Sequence, residues 1–565
     1  MVKGSISFFT AMKQKIVIYQ IFTRLFGNRQ LPKKANGAIE ENGCGKFNDI
    51  DNAVLDKIKH LGVTHVWLTG IIRHATTTDY SEYGIPKQTP MVVKGKAGSP
   101  YAITDYYDVD PDLAVDVNKR MDEFMNLVER IHHAGMKVVI DFVPNHVARE
   151  YHSICKPETV ADLGENDNTA MHFSTNNNFY YCWGQPLDTS QLPEDLGEPY
   201  KEIPAKATGN DHFDCHPGAN DWYETVKLNY GIDYCDAGGR SEHFQPIPDT
   251  WGKMTSILLF WAAKGIDAFR CDMAEMVPAA FWQWATDKVK FAYPKVLFIG
   301  EVYDPWQYRN YIHAGFDLLY DKVGMYDCLR AVACGNRRSA DITYQWQATD
   351  DIQSNMLYFL ENHDEQRIAS DFFAADPQKG LPAMMVASWL NDSPVMVYAG
   401  QEFGEKGMDQ EGFSGMDGRT TIFDYWSVDT IRRGYFDSRK MKKAERELRD
   451  SYSKILSLAN AEDALREGDT YDLMYVNHGL AERQFAFLRK QGRQMVLVVV
   501  NFSDVVAECD VVLPQHVFEF WNMNGGSYRA SDLLTGDTLQ MTIGPDMPVS
   551  VSIPAWGGRA YKFIL

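Results

Sequence analysis

The feature that most constrains this chain is an alternation. A short apolar β-type run followed by a stretch of helical period recurs eight times over the first two-thirds of 565 residues. The β-type runs are residues 16–21, 64–68, 137–143, 266–269, 296–300, 316–320, 356–360 and 394–398. Helical stripes lie between them: Val54, Ile58 and Leu61 stopped by Gly62; Met121, Phe124, Val128 and Ile131 stopped by Gly135; Met254, Leu258 and Trp261 stopped by Gly265. Apolar strands separated by helices pair in parallel, because each helical crossover returns the chain to run in the same direction. Eight such units predict an α/β fold, a closed (β/α)8 TIM barrel.

Two stretches break the rhythm. Residues 147–225 are rich in Asn, Asp, Gly, Pro and aromatics without a clean period, too long for a barrel loop, and are expected to form an irregular domain inserted after strand 3. The barrel is thereby split into 1–146 and 226–464. From Gly468 the pattern turns all-β: runs at 484–488 and 495–500 flank a turn at Gln491 and Gly492, and runs at 549–553 and 560–564 follow. A C-terminal antiparallel β-sandwich over 465–565 is expected.

Bulk properties narrow the partner. A net charge of −20 repels nucleic acid and anionic membrane surfaces, which leaves a neutral ligand as the natural one. No apolar run reaches the roughly 18–20 residues of a membrane span. Residues 6–12 are a short apolar stretch broken by Ser7 and Thr10, unlike a signal peptide, so a cytoplasmic location is expected. Nine cysteines without CxxC spacing imply neither a disulfide framework nor a zinc site.

In a TIM barrel the chemistry gathers at the C-terminal ends of the strands. There this chain carries Asp141-Phe-Val-Pro-Asn145-His146, then Arg270-Cys271-Asp272, then Gly300-Glu301-Val302, then Glu361-Asn362-His363-Asp364. Each alone has a structural explanation as a cap or a local ion pair. Jointly they aim three carboxylates, two histidines and one arginine at one barrel face. Retaining cleavage of a glycosidic bond needs such a set: a carboxylate nucleophile and a carboxylic acid about 5–5.5 Å apart. Arg270 and Asp272 stand two apart and point the same way, so the guanidinium is expected to keep Asp272 ionised. Glu301 has no adjacent cation in sequence and is expected to hold the raised pKa of an acid/base. Asp364, His146 and His363 can hydrogen-bond to sugar hydroxyls, and Tyr101 can stack on the ring. Trp183 and Trp222 are further stacking candidates. The Asn166-Asp167-Asn168 cluster reads as a turn, and Cys271 as a small buried hydrophobe.

These segments, in this order, resemble the four motif regions of glycoside hydrolase family 13, the α-amylase family. "DFVPNH", "GIDAFRCD", "GEV" and "ENHD" match them almost letter for letter, and "GSPYAITDYYDVDP" at 98–111 extends the likeness. The resemblance implies Asp272 as nucleophile, Glu301 as acid/base and Asp364 as transition-state stabiliser, with Tyr101, His146, Arg270 and His363 lining the subsite of the sugar being cleaved. It implies hydrolysis of α-1,4-linked glucans, starch or malto-oligosaccharides, with transglycosylation as the alternative and a catalytically inactive sugar-binding protein as a distant third. No cofactor is required. Many members hold a structural calcium through the Asn before the strand-3 His, an Asp in a "PDLN"-like segment and a His four past the nucleophile. Here Asn145 is present, but Lys227 and Met276 stand at the other two positions. The expectation is therefore no metal site, with the Lys227 ammonium replacing the ion on Asn145 and nearby carbonyls. Glu275 stands where members that cut internal bonds often carry a Lys contacting the acceptor sugar.

Overall fold

The computed structural model describes residues 14–192, 199–236, 238–408, 410–413 and 415–565; the apolar stretch at 6–12 lies outside the described residues. Eight parallel strands close into a barrel: β1 Val17–Phe22, β2 His65–Thr69, β3 Lys137–Phe142, β4 Ala268–Cys271, β5 Leu297–Gly300, β6 Leu318–Tyr320, β7 Met356–Phe359 and β8 Val395–Tyr398. Every sequence neighbour is a hydrogen-bonded neighbour, and β8 pairs with β1 to shut the ring.

Each strand is followed by a helix packed outside it: α1 Asn52–Lys59, α2 Arg120–His133, α3 Asp249–Ala263, α4 Ala279–Ala292, α5 Tyr308–His313, α6 Asp327–Ala333, α7 Gly380–Trp389 and α8 Lys443–Ala461. The Asp51 side chain caps α1 by accepting the Val54 N–H, and Val54, Leu55 and Ile58 bury its inner face. Gly135 ends α2 at φ +73, in the left-handed region that glycine enters at least cost.

Strand periodicity sorts the barrel interior into layers. Ile18, Trp67, Val139, Ala268, Ile299, Leu318, Leu357 and Met396, one from each strand, fill an apolar plug. Two residues further along, the same inward face carries Gln20 on β1, Asp141 on β3 and Arg270 on β4, all buried. A polar layer thus sits on an apolar floor, at the end where the strands finish.

The excursion after β3 is irregular, with a two-stranded stem in which His146–Ala148 runs antiparallel to Thr225–Lys227. After α8 the chain builds β9 Asp469–Asp472, β10 Gln484–Gln491, β11 Gln494–Asn501, β12 Ala507–Leu513, β13 Gly526–Asp532, β14 Thr538–Ile543, β15 Met547–Ile553 and β16 Gly557–Ile564. They form a six-stranded antiparallel sheet, ordered β9-β10-β11-β16-β13-β14, and a β12–β15 pair. Arg489 of β10, fully buried, donates to Trp389 O at the end of α7 (2.7 Å) and to Gly468 O (2.6 Å), fastening this sheet to the barrel. Arg489→Met leaves both carbonyls buried without a donor and is expected to cost about 2–4 kcal/mol, read as a lower urea midpoint with unchanged circular dichroism in buffer.

Candidate active site

The site grows out of β4. Ala268, Arg270 and Asp272 alternate inward, the first in the apolar plug and the other two above it. Register sets Arg270 opposite Asp141 of β3 and Ile299 of β5, so the residue that follows on β5's inner face is Glu301. Adjacent staves thereby bring Arg270 and Glu301 together, although they are distant in sequence.

Arg270 is fully buried and meets four carboxylates. Its Nη1 lies 2.8 Å from Asp272 Oδ1 and 3.5 Å from Asp141 Oδ1; its Nη2 lies 2.8 Å from Glu301 Oε2 and 4.0 Å from Asp364 Oδ2. The guanidinium carbon sits 5.4–5.6 Å from the ring centres of Trp67, Tyr101 and Tyr320, an aromatic surround suited to a weakly hydrated planar cation.

This geometry corrects two expectations. Glu301 is not free of a cation: Arg270 touches it as closely as it touches Asp272, and Glu301 also accepts the Met273 N–H (2.8 Å) and the Tyr303 hydroxyl (2.6 Å). Nor does Arg270 leave Asp272 with a low pKa. Burial pushes the Asp272 carboxyl well above its ordinary range, and the Glu301 and Asp364 charges add to that while Arg270 opposes it. Burial and Glu301 push Asp364 up to about 7, and burial pushes Asp141 up to about 6. One positive charge cannot satisfy four negative ones away from water, and the Asp272, Asp364 and Asp141 carboxyls are all pushed up in pKa.

The two histidines are neutral near pH 7. Burial, with Lys227 nearby, lowers His146 to about 3, and burial with Arg270 holds His363 well below its usual value. The Gln20 amide donates to His363 Nδ1 (2.8 Å), which leaves the Nε2 proton facing Asp364 Oδ2 at 3.1 Å. The Tyr101 ring stacks on His363, centroids 5.3 Å apart, and its hydroxyl meets His363 Nε2. Met273, directly after Asp272, adopts φ +44, a strained turn that aims its N–H at Glu301.

Tyr101, His146, Asp272, Glu301, His363 and Asp364 line one cavity of about 290 Å³, with Arg270 beneath it. No described donor meets Asp272 Oδ2, which leaves that oxygen to the cavity. Trp222 also lines the cavity, its ring 5.2 Å from His146, whereas Trp183 is 68% exposed and does not. Reading the sequence placed Asp141 at the strand-3 end without giving it a role, and missed Gln20, Tyr303, Lys94, Glu224 and Arg419. Asp141 and Gln20 carried a signal, a polar side chain on an inward strand position; the loop residues carried none. Asp167 accepts the Asn178 and Phe179 N–H groups and the Tyr181 hydroxyl, a turn-fixing role. Cys271 is fully buried, and burial drives its thiol pKa up, away from reactivity.

Glu275 does not line the cavity. Its Oε2 accepts the backbone N–H groups of Tyr303 (3.0 Å) and Asp304 (3.1 Å), holding the loop whose Tyr303 hydroxyl reaches Glu301. At the position where the family resemblance implies calcium, Lys227 Nζ bonds to Asn145 Oδ1, pairs with Asp211 Oδ1 at 2.6 Å and donates to Met276 O at 3.3 Å. An ammonium occupies the centre of this oxygen set, so these residues do not fit a hard divalent cation. Among the described residues two acidic triads stand elsewhere: Asp105, Asp108 and Cys155, the two aspartates paired with Arg73 and Arg120, and the surface-side Asp233, Asp236 and His243.

Fold and site together define a (β/α)8-barrel protein with a carboxylate-lined pocket at the mouth of the barrel. The α-amylase catalytic-domain family matches residues 20–468, and the chain belongs to that family. An α-amylase of Streptomyces lividans is 24% identical over 586 aligned positions, covering 94% of this chain. Among solved structures, the α-amylase of Geobacillus thermoleovorans in complex with acarbose superposes with a TM-score of 0.63 at 19% identity, covering 98% of each chain. The maltogenic α-amylase AmyB of Thermotoga neapolitana gives 0.62 at 19%, covering 97% of this chain and 99% of its own. The chain spans 58%, 64% and 56% of the length of three curated relatives, from S. lividans, Dictyoglomus thermophilum and Haloarcula japonica.

Lys227→Met strands the Asn145, Asp211 and Met276 oxygens and is expected to cost about 3–5 kcal/mol. Thermal unfolding of the wild type should show a melting temperature unmoved by EDTA; a marked drop on chelation contradicts the ammonium-for-calcium reading.

Proposed function

We propose that the protein is a retaining glycoside hydrolase acting on α-1,4-linked glucans, starch fragments or malto-oligosaccharides, through a covalent glycosyl-enzyme intermediate. The observation that carries this is one buried guanidinium holding Asp272 and Glu301 on its two outer nitrogens. Two carboxyls on one fork support the spacing of about 5–5.5 Å of retaining pairs over the roughly 6.5–9.5 Å of inverting pairs.

Asp272 attacks the anomeric carbon with its cavity-facing oxygen while Glu301 protonates the glycosidic oxygen. Glu301 then takes a proton from water, which attacks the same carbon and releases Asp272. Tyr303 orients the Glu301 carboxyl through its hydroxyl. Asp364 and the Nε2–H of His363 face hydroxyls of the sugar being cleaved, and Tyr101 packs against its ring. Whole glucans are not rejected by charge, and the net charge of −20 suits a neutral polymer. The names of relatives (α-amylases and a cyclomaltodextrinase) support the same substrate class.

Incubation with maltoheptaose followed by chromatography should give shorter sugars only; longer products would make the protein a transferase using the same intermediate. Glu301→Gln is expected to lower kcat on maltoheptaose about 10²–10⁴-fold yet spare α-glucosyl fluoride, whose leaving group needs no proton, whereas Asp272→Asn should abolish both. Arg419 helps hold down the Asp364 pKa. Arg419→Gln removes that positive charge, raises the Asp364 pKa further and should move the acid limb of the kcat/KM profile to higher pH, by up to about one unit.

A further inference from the structure

We infer that the pocket is closed on its donor side, so that the enzyme works from the non-reducing ends of malto-oligosaccharides rather than within long chains; this rests on the glucan hydrolase reading above. Direction comes from the barrel order. Glu301 follows β5, and in a closed ring of eight the strand across from β5 is β1, flanked by β2 and β8. The acid delivers its proton to the glycosidic oxygen, so the leaving sugar lies on Glu301's side and the donor extends away, toward β1.

On that far side the cavity is walled by the loops after β2 and β8, which are stitched together and to the inserted segment. Lys94 Nζ meets Glu224 Oε2 at 3.0 Å and donates to Asp221 O at 3.1 Å. The Ala97 N–H donates to Phe423 O at 3.1 Å. Gly95, at φ +66, lies so close to Phe423 that a Cβ would fall 2.3 Å from its carbonyl oxygen, so the seam is sealed at backbone contact. Lys94 and Glu224 are 9% and 4% exposed. Moving the β2 loop away from the inserted segment would separate a buried ion pair, which is costly once one partner is left alone.

The near side is built differently. The chain leaves Tyr303, which lines the cavity, and reaches Trp306, 91% exposed. The loop after β5 thus carries an exposed aromatic, whereas the β2 loop and the inserted segment are closed by a buried ion pair. At about 290 Å³ the cavity falls at the bottom of the roughly 300–1,000 Å³ range of ligand pockets, room for a short oligosaccharide end. Lys94 and Glu224 offer one donor and one acceptor to the free hydroxyls of a terminal glucose. An internal glucose instead carries another sugar on its 4-oxygen and would have to thread the seam.

The test uses maltoheptaose, free or with its non-reducing-end glucose blocked as the 4,6-ethylidene acetal, its consumption followed by chromatography. The wild type should consume the blocked chain at least about tenfold more slowly than the free one, because the block clashes with the wall and leaves its polar groups unpaired. In a Lys94→Ala, Glu224→Ala variant the blocked-to-free ratio should rise. Equal wild-type rates on both chains overturn this inference and leave the hydrolase reading standing. Consumption of neither chain removes the hydrolase reading, and this inference with it.

Discussion

Everything in the site hangs on a single buried guanidinium. Arg270 lies on an apolar plug, inside a ring of aromatics, and four carboxylates from β3, β4, β5 and the loop after β7 converge on it. A cation so placed is tolerable only with counter-charges at contact, and four carboxylates are tolerable only with a cation. Each half of the arrangement explains the other. The result is a set of carboxyls in contact with one cation, of which Asp272, Asp364 and Asp141 are pushed up in pKa by burial and by one another. The barrel supplies what the chemistry cannot: register fixes Arg270 between Asp141 and the β5 strand that ends in Glu301, so the spacing of the carboxyls is set by backbone hydrogen bonds.

Much of this was legible beforehand, for a physical reason. Parallel strands covered on both faces must be apolar nearly throughout, so all eight stood out, with ends displaced by a residue or two; β4 begins at Ala268 rather than residue 266 and runs through Cys271. The C-terminal strands that escaped were Asp469–Asp472, Ala507–Leu513, Gly526–Asp532 and Thr538–Ile543, whose exposed positions are mostly polar and blur into loop composition. Six residues expected at the site share one cavity and Arg270 lies under them, because strand-end polar residues in a barrel have nowhere else to point. The electrostatics did not transfer. Sequence adjacency assigned Arg270 to Asp272 alone, whereas neighbouring staves also bring it to Glu301. Lys94, Glu224 and Arg419 come from three loops whose meeting depends on the finished fold.

The inserted segment does more than decorate the barrel. Its stem sets Lys227 opposite His146, so the ammonium that organises Asn145 and Asp211 also depresses the pKa of a cavity histidine. A few residues earlier, the same return strand delivers Glu224 to Lys94. One short ribbon therefore couples local stability, the protonation state of His146 and the shape of the pocket wall. The loop after β5 plays the matching part on the other side, where Glu275 fixes the backbone at Tyr303 and Asp304.

The most direct measurement is to trap the intermediate. The protein would be incubated with 5-fluoro-α-glucosyl fluoride, whose ring fluorine slows release of the bound sugar, then digested, and the labelled peptide sequenced by mass spectrometry. The expected result is one glycosyl group on Asp272, the carboxylate with an oxygen left to the cavity. A label on Glu301 or Asp364 instead would contradict the proposed assignment of Asp272 as the nucleophile.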